Sequence, residues 1–241
     1  MAPVTILQVV PRLDTGGSEL ATLEIAEALT RAGAKALVVT EGGRMAKAIV
    51  QGGGEVIEMP VASKNPLTMW KNAGRLARLI RERDVDLIHA RSRAPAWSAL
   101  IAARRTRIPF VTTYHGAYGE LGPIKAFYNS VMGRGDLVIA NSRYTAHLME
   151  SQRGVSQDRI RTIFRGVEGA VFDPISVPPG PVAKLRERWN VSPDSKIVMQ
   201  AARLTGLKGQ RDTIEAAALL DREGALDGAV VIFAGDAHGK D

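Results

Sequence analysis

The chain has 241 residues, 45% hydrophobic and 24% charged, a composition that excludes a disordered polymer and suits one large domain or one and a half. Cysteine is absent, which removes disulfides, thiolate catalysis and thiolate metal sites. The formal net charge is +7, and no apolar run approaches the roughly 18 residues of a membrane span, so a cytoplasmic protein is expected.

Residues 5–10 form a short apolar run closed by Pro11, suited to a buried parallel strand. No basic stretch precedes it, which favours a first strand over a leader peptide. A loop follows, then a predicted helix capped by Ser18, with Leu20, Leu23, Ala26 and Leu29 as its buried stripe and Gly33 at its end. Residues 36–40 are the next strand, completing the strand-helix-strand unit of doubly wound folds. The pattern repeats with a short helix at 44–51 and a strand at 56–59. Asn65 then caps a helix with Pro66 at its first position. Its apolar face is Met69, Trp70, Ala73, Leu76, Ala77 and Ile80, with Lys71, Arg75, Arg78 and Arg81 opposite. Strands are predicted at 85–90, 110–114, 137–140 and 160–164, with helices at 94–104, 122–132 and 143–152.

The texture then shifts. Residues 172–181 contain four prolines in ten positions, which sustain neither a helix nor an interior strand and read as a linker, residues 172–182. The expected division is a first domain at 1–171 and the start of a second at 183–241. A helix is predicted from Ala183 to Trp189, then strands at 197–201 and 229–234 around a helix from Gln210. One helix and two strands do not cover both faces of a parallel sheet, so a full second domain would need on the order of 100 further residues.

The turn after residue 201 holds Arg203 and Lys208, with Gly206 and Gly209 keeping the backbone open. Arginine forks onto two phosphate oxygens, lysine adds a point charge, and a helix N-terminus offers free N–H groups, so the turn suits a diphosphate. It equally reads as an ordinary solvated strand-to-helix turn. In an open α/β sheet ligands bind beyond the carboxyl ends of the strands. That rule brings Gly16, Gly17, Arg91, His115, Gly116, Asn141 and Arg165 to one rim. The glycine spacing is not that of a dinucleotide fingerprint. His89 is a candidate for the acceptor side; His147 and His238 receive no role. No pair of histidines or carboxylates has metal-ligand spacing on one element.

Five segments occur in a fixed order: Gly16-Gly17-Ser18-Glu19, Tyr114-His115-Gly116, Asn141-Ser142, Arg165-Gly166-Val167-Glu168, and Arg203-Leu-x-x-x-Lys208-Gly209. Together they resemble the retaining glycosyltransferases of family four, whose GT-B fold has two Rossmann-like doubly wound parallel-sheet domains. The resemblance implies transfer of a sugar from a nucleotide-diphosphate sugar to a glycan or lipid-linked acceptor, as in polysaccharide or lipopolysaccharide biosynthesis. It places His115, Arg203 and Lys208 in catalysis and Gly16, Gly17, Gly116, Asn141 and Arg165 in substrate binding, to which the strand-end rule adds Arg91. It implies no metal and no cofactor beyond the donor substrate. Arg165 stands where the family more often has asparagine, and contacts to an anionic acceptor or to the linker are both open. The family's acidic Glu-x₇-Glu motif is expected beyond Asp241. The like-spaced pairs Glu19/Glu27 and Glu215/Glu223 sit in predicted helices at the wrong place in the order. The 241-residue chain is therefore expected to be inactive alone, and a sugar-binding module remains the alternative.

Residues 71–107 carry ten cations (Lys71, Arg75, Arg78, Arg81, Arg83, Arg91, Arg93, Arg104, Arg105, Arg107) against three acids, a net +7 equal to the whole excess. An anionic membrane surface or a solvated helix face accounts for such a segment. The first domain lacks the aromatic ladder and helix-turn-helix of nucleic-acid binders, so nucleic acid is not an expected partner and a nucleic-acid binder stands only as a lesser alternative.

Overall fold

A computed structural model of the protein describes residues 3–116, 122–226 and 228–236, and the backbone alone of Leu207; His238 lies outside them. The chain divides into two compact units, Met1–Arg165 and Gly166–Asp241.

Strand β2 (Lys35–Thr40) shows how the first unit is built. Ala36 and Val38 join a cluster with Val10, Leu13, Ala26 and Ile49, while Leu37 and Val39 join a larger cluster on the opposite side. A strand with alternate residues in two cores must be apolar throughout, and this one is. The remaining strands of the sheet are β1 (Thr5–Val9), β3 (Glu55–Glu58), β4 (Leu87–Ala90), β5 (Phe110–Tyr114), β6 (Leu137–Ala140) and β7 (Ile160–Thr162). All neighbours pair in parallel, in the order β3-β2-β1-β4-β5-β6-β7. Strand order reverses between β1 and β4, and that switch point sets the place of the site. The expected doubly wound parallel sheet is present.

Helices α1 (Gly17–Arg31) and α2 (Ala46–Gln51) cover the smaller cluster. Helices α3 (Pro66–Glu82), α4 (Arg93–Thr106) and α6 (Arg143–Arg153) supply the larger one, and α5 (Pro123–Ser130) precedes β6. Asn65 caps α3 as expected, accepting from the N–H groups of Leu67 and Thr68. Ala73, Leu76, Ala77 and Ile80 are buried, whereas Trp70 is 60% exposed. Its ring is covered by the Arg105 guanidinium of α4, 4.2 Å from the ring centre. Lys71, Arg75, Arg78 and Arg81 all point outward.

Helix α1 begins two residues earlier than a cap at Ser18 implies. Gly16 is the cap, and the Ser18 hydroxyl donates instead to the Glu19 carboxylate at 2.6 Å. Leu20 is exposed, and Ala21 and Thr22 take its place in the core. No helix among the described residues is long and apolar enough to cross a membrane.

The second unit holds α7 (Gly169–Phe172), α8 (Pro179–Arg188), β8 (Lys196–Ala201), α9 (Gln210–Arg222) and β9 (Ala229–Ala234), with β8 and β9 paired in parallel. Helix α8 starts inside the proline-rich stretch expected to be irregular. Pro179 and Pro181 fall in its first turn, where N–H groups have no intrahelical acceptor and proline is tolerated. Val198, Met199, Ile214 and Leu219 are about half exposed, so the faces of this small sheet are largely open.

Candidate functional site

The carboxyl ends of the first unit's strands form one rim, and its polar residues are tied together from below. Gln8 of β1 is fully buried, with apolar residues on both sides of it in the strand. Its amide nitrogen donates to the Thr22 carbonyl of α1 at 3.1 Å, and its oxygen accepts from Arg91 Nε at 3.2 Å. Gln8 lies beside His89 in the β1–β4 register, so Arg91, two residues past His89, reaches back across the switch point. His89 is buried and does not line the rim: Nε2 lies 2.7 Å from the Thr113 hydroxyl, and Nδ1 is 3.5 Å from Arg91. Burial and the neighbouring Arg91 charge hold His89 well below the usual histidine range. The same burial lowers Arg91 to about 10.

His115 follows β5 directly. Its carbonyl accepts from the Asn141 side chain at 3.2 Å, and the Asn141 oxygen in turn accepts from the Thr145 hydroxyl at 2.9 Å. Thr145 belongs to a reciprocal capping box with Ser142 that opens α6. Asn141 thus places the backbone of His115. Nε2 of His115 is buried and has no hydrogen-bond partner among the described residues. Desolvation, then Arg91 and Arg165, lower His115 to about 4, so the ring is neutral at pH 7. Gly116 beside it has open space where a side chain would stand.

Arg165 closes the rim at the end of the first unit. Its guanidinium donates to the Gly17 carbonyl and pairs with Glu24 of α1 at 2.9 Å. Both of these contacts are to α1. Gly16 precedes it with φ 151°, and a Cβ there would lie 2.5 Å from a Glu19 carboxylate oxygen, so the turn is built for glycine. Gly17, Arg91 and Arg165 are thus joined through α1, and His115, held by Asn141, lies within the electrostatic reach of both arginines.

Arg203 and Lys208 lie in the second unit, on the turn between β8 and α9. Their backbones are pinned, since Gln210 donates to the Arg203 carbonyl at 2.8 Å and Gln200 to the Lys208 carbonyl at 2.6 Å, while both side chains are exposed. Gly209, with φ 73°, caps α9 without a side-chain acceptor, and a hollow of about 430 Å³ is lined by Thr205, Gly206, Gly209 and Gln210. Among the described residues no cluster of histidines and carboxylates could hold a metal.

A larger hollow, about 560 Å³, lies at the opposite rim, lined by Thr5, Lys35, Glu55 and Arg83. Of its charged groups, Arg83 and Glu55 pair with each other at 2.5 Å. It has neither an orphaned buried atom nor the convergence of strand ends. The carboxyl rim is the better candidate.

Sequence reasoning singled out the rim residues but not Gln8 or Glu24. A glutamine inside an apolar strand was a visible signal for the first; nothing marked the second. Of the ten cations at 71–107, Arg91 is buried and Arg93 half-buried, and Arg83 and Arg104 are paired with carboxylates.

The chain is 27% identical over 237 residues to D-inositol 3-phosphate glycosyltransferase of Xylanimonas cellulosilytica, an alignment covering 87% of this chain and 57% of that protein. The chain thus spans a little over half the length of this curated relative. A glycosyltransferase structure from Rickettsia africae superimposes with a TM-score of 0.79 at 30% identity, over 98% of this chain and 69% of that one. Anabaena HepE, solved with UDP and glucose, shares the fold with a TM-score of 0.76 at 24% identity, over 96% of this chain and 61% of that one. These neighbours agree with the expected GT-B class. Residues 15–170, which include every rim residue from Gly16 to Arg165, match the model of Glycosyltransferase Family 4, and the chain belongs to that family.

Proposed function

We propose that the protein transfers a sugar from a nucleotide-diphosphate donor to a glycan or lipid-linked acceptor, with retention at the anomeric carbon. The observation that carries this reading is the buried, unpartnered Nε2 of a neutral His115, held at the rim by Asn141. A buried polar atom without a partner is unfavourable in the free protein and is satisfied by a ligand hydroxyl. At pH 7 the neutral ring hydrogen-bonds a sugar and does not act as a strong proton donor. In the second unit, Arg203 and Lys208 stabilise charge developing on the leaving diphosphate, and the uncapped start of α9 adds its N–H groups. Retention is inferred from the family resemblance. The relative named for inositol 3-phosphate supports a polyol or glycan acceptor.

The test is release of nucleoside diphosphate from UDP-, GDP- and ADP-sugars, followed by mass spectrometry, in the protein as its gene encodes it. Arg203→Ala is expected to lower turnover by about 10²- to 10³-fold. Turnover unchanged in that variant removes Arg203 from the mechanism. No release with any donor defeats the reading as a whole.

We further propose that the protein works at the cytoplasmic face of a membrane. Lys71, Arg75, Arg78 and Arg81 lie on the outer face of α3, none with a carboxylate partner among the described residues. Each basic residue near an anionic leaflet contributes about 1 kcal/mol.

A further inference from the structure

Arg91 is 3% exposed, yet among the described residues no carboxylate pairs with it directly, and Glu24, already bound to Arg165, acts on it only electrostatically. Its hydrogen-bond partners are an amide, Gln8, and His89, a ring held neutral. Arg165 is matched by Glu24 in a partly exposed pair. The group thus holds two cations against one carboxylate, and both cations act on His115, whose Nε2 is buried and unpartnered. A desolvated cation with only dipolar partners is unfavourable unless something brings the counter-charge. The guanidinium is also fixed in advance: Gln8 is anchored to the Thr22 carbonyl, so little side-chain freedom remains to be lost on binding.

We infer that Arg91 and Arg165, beside His115, receive an anionic group, a phosphate monoester or a carboxylate, carried by the acceptor in the first unit. This inference rests on the proposed sugar transfer and narrows the acceptor to an anionic one. The donor's diphosphate has its own cations, Arg203 and Lys208, in the second unit. The cation at 165 then serves in place of the amide that the family more often has there.

Calorimetry on the 241-residue chain at low ionic strength tests this with inorganic phosphate, glucose 6-phosphate, glucuronate, glucose and UDP as probes. The anionic sugars are expected to bind more tightly than glucose. Arg165→Asn should weaken them about 10- to 100-fold, the range of a lost charge-assisted hydrogen bond, and leave glucose and UDP unchanged. Arg91→Gln should act alike; if it does not fold, an NMR titration of the unaltered chain decides. His115 titrates near 4, and a bound dianion should raise that value because it favours the imidazolium. A purely structural role for the arginines leaves it where it is. Equal binding of glucose and its phosphate, anion affinity indifferent to Arg165→Asn, or an unmoved His115 each overturn the inference. An Arg165→Asn loss that falls on UDP overturns it too, by giving the cations to the donor. Equal transfer to neutral and anionic acceptors sinks it while sparing the proposed function. Anion binding without any sugar transfer does the reverse.

Discussion

Acid should destabilise the first unit well above the pH at which its carboxylates protonate. His115 has an ordinary value of about 6.5 when unfolded and about 4 when folded. The unfolded chain therefore binds more protons between those values, so stability is full above about pH 6.5 and falls as pH drops toward 4. At pH 5 the unfolded imidazole is almost wholly protonated and the folded one about a tenth so, which costs about 2 kcal/mol. His89, lowered in the same direction, adds to the loss. Asp136, held below its usual range despite burial by hydrogen bonds from Arg104 and the Phe110 N–H, stays ionised at pH 5 and does not contribute there. Urea unfolding at pH 7.5 and pH 5 measures the difference. In a Trp189→Phe background, fluorescence reports Trp70 and Trp97, both in the first unit. His115→Asn should reduce the pH 5 penalty by about 2 kcal/mol. Equal unfolding free energies at the two pH values, or a penalty unchanged in His115→Asn, would refute the burial argument.

Asn141→Ala removes the donor to the His115 carbonyl. Unfolding free energy should fall by about 1–2 kcal/mol, with sugar transfer reduced as the ring loses its anchor. Gly43→Ala sets a Cβ 2.5 Å from the Leu13 backbone at φ 135°, and should cost about 1–3 kcal/mol by thermal or urea unfolding. Replacing Arg75, Arg78 and Arg81 together by Gln should weaken binding to anionic vesicles about 100-fold at low salt. Sedimentation that is equal with neutral vesicles returns those residues to a plain solvated face.

Local chemistry was legible where one element decides the outcome. Asn65-Pro66 marks the start of α3, and the apolar run of β2 announces a strand buried on both sides. Errors arose where neighbours decide. Trp70 fits an apolar stripe by spacing, but the core opposite is already filled by Leu76 and Ile80, and Arg105 from another helix covers the ring instead. Ser18 has the chemistry of a cap, but the backbone at Gly16 takes the role first. Pro179 and Pro181 read as helix breakers until their place in a first turn is known. For the rim, strand ends name the residues, since every parallel strand delivers its next residue to the same edge. Pairings such as Arg165 with Glu24, 141 residues apart, depend on how α1 lies against that edge, which no local pattern encodes.

Strand order also sets a timetable for assembly. The first strand pairs with β2 across 30 residues but with β4 across 81, as in Thr5↔Lys35 and Ile6↔Leu87. On the ribosome, one edge of β1 therefore stays open until β4 has emerged, and an open edge invites pairing with other chains. The bond between Arg165 and Gly17 closes a span of 148 residues. Loop closure at that length costs about 1.4 kcal/mol more than at the β1–β2 spacing. Folding is thus expected to complete the sheet's centre first and the rim last. A nascent chain released before β7 would retain most of the buried core yet lack the arginine that ties the rim to α1.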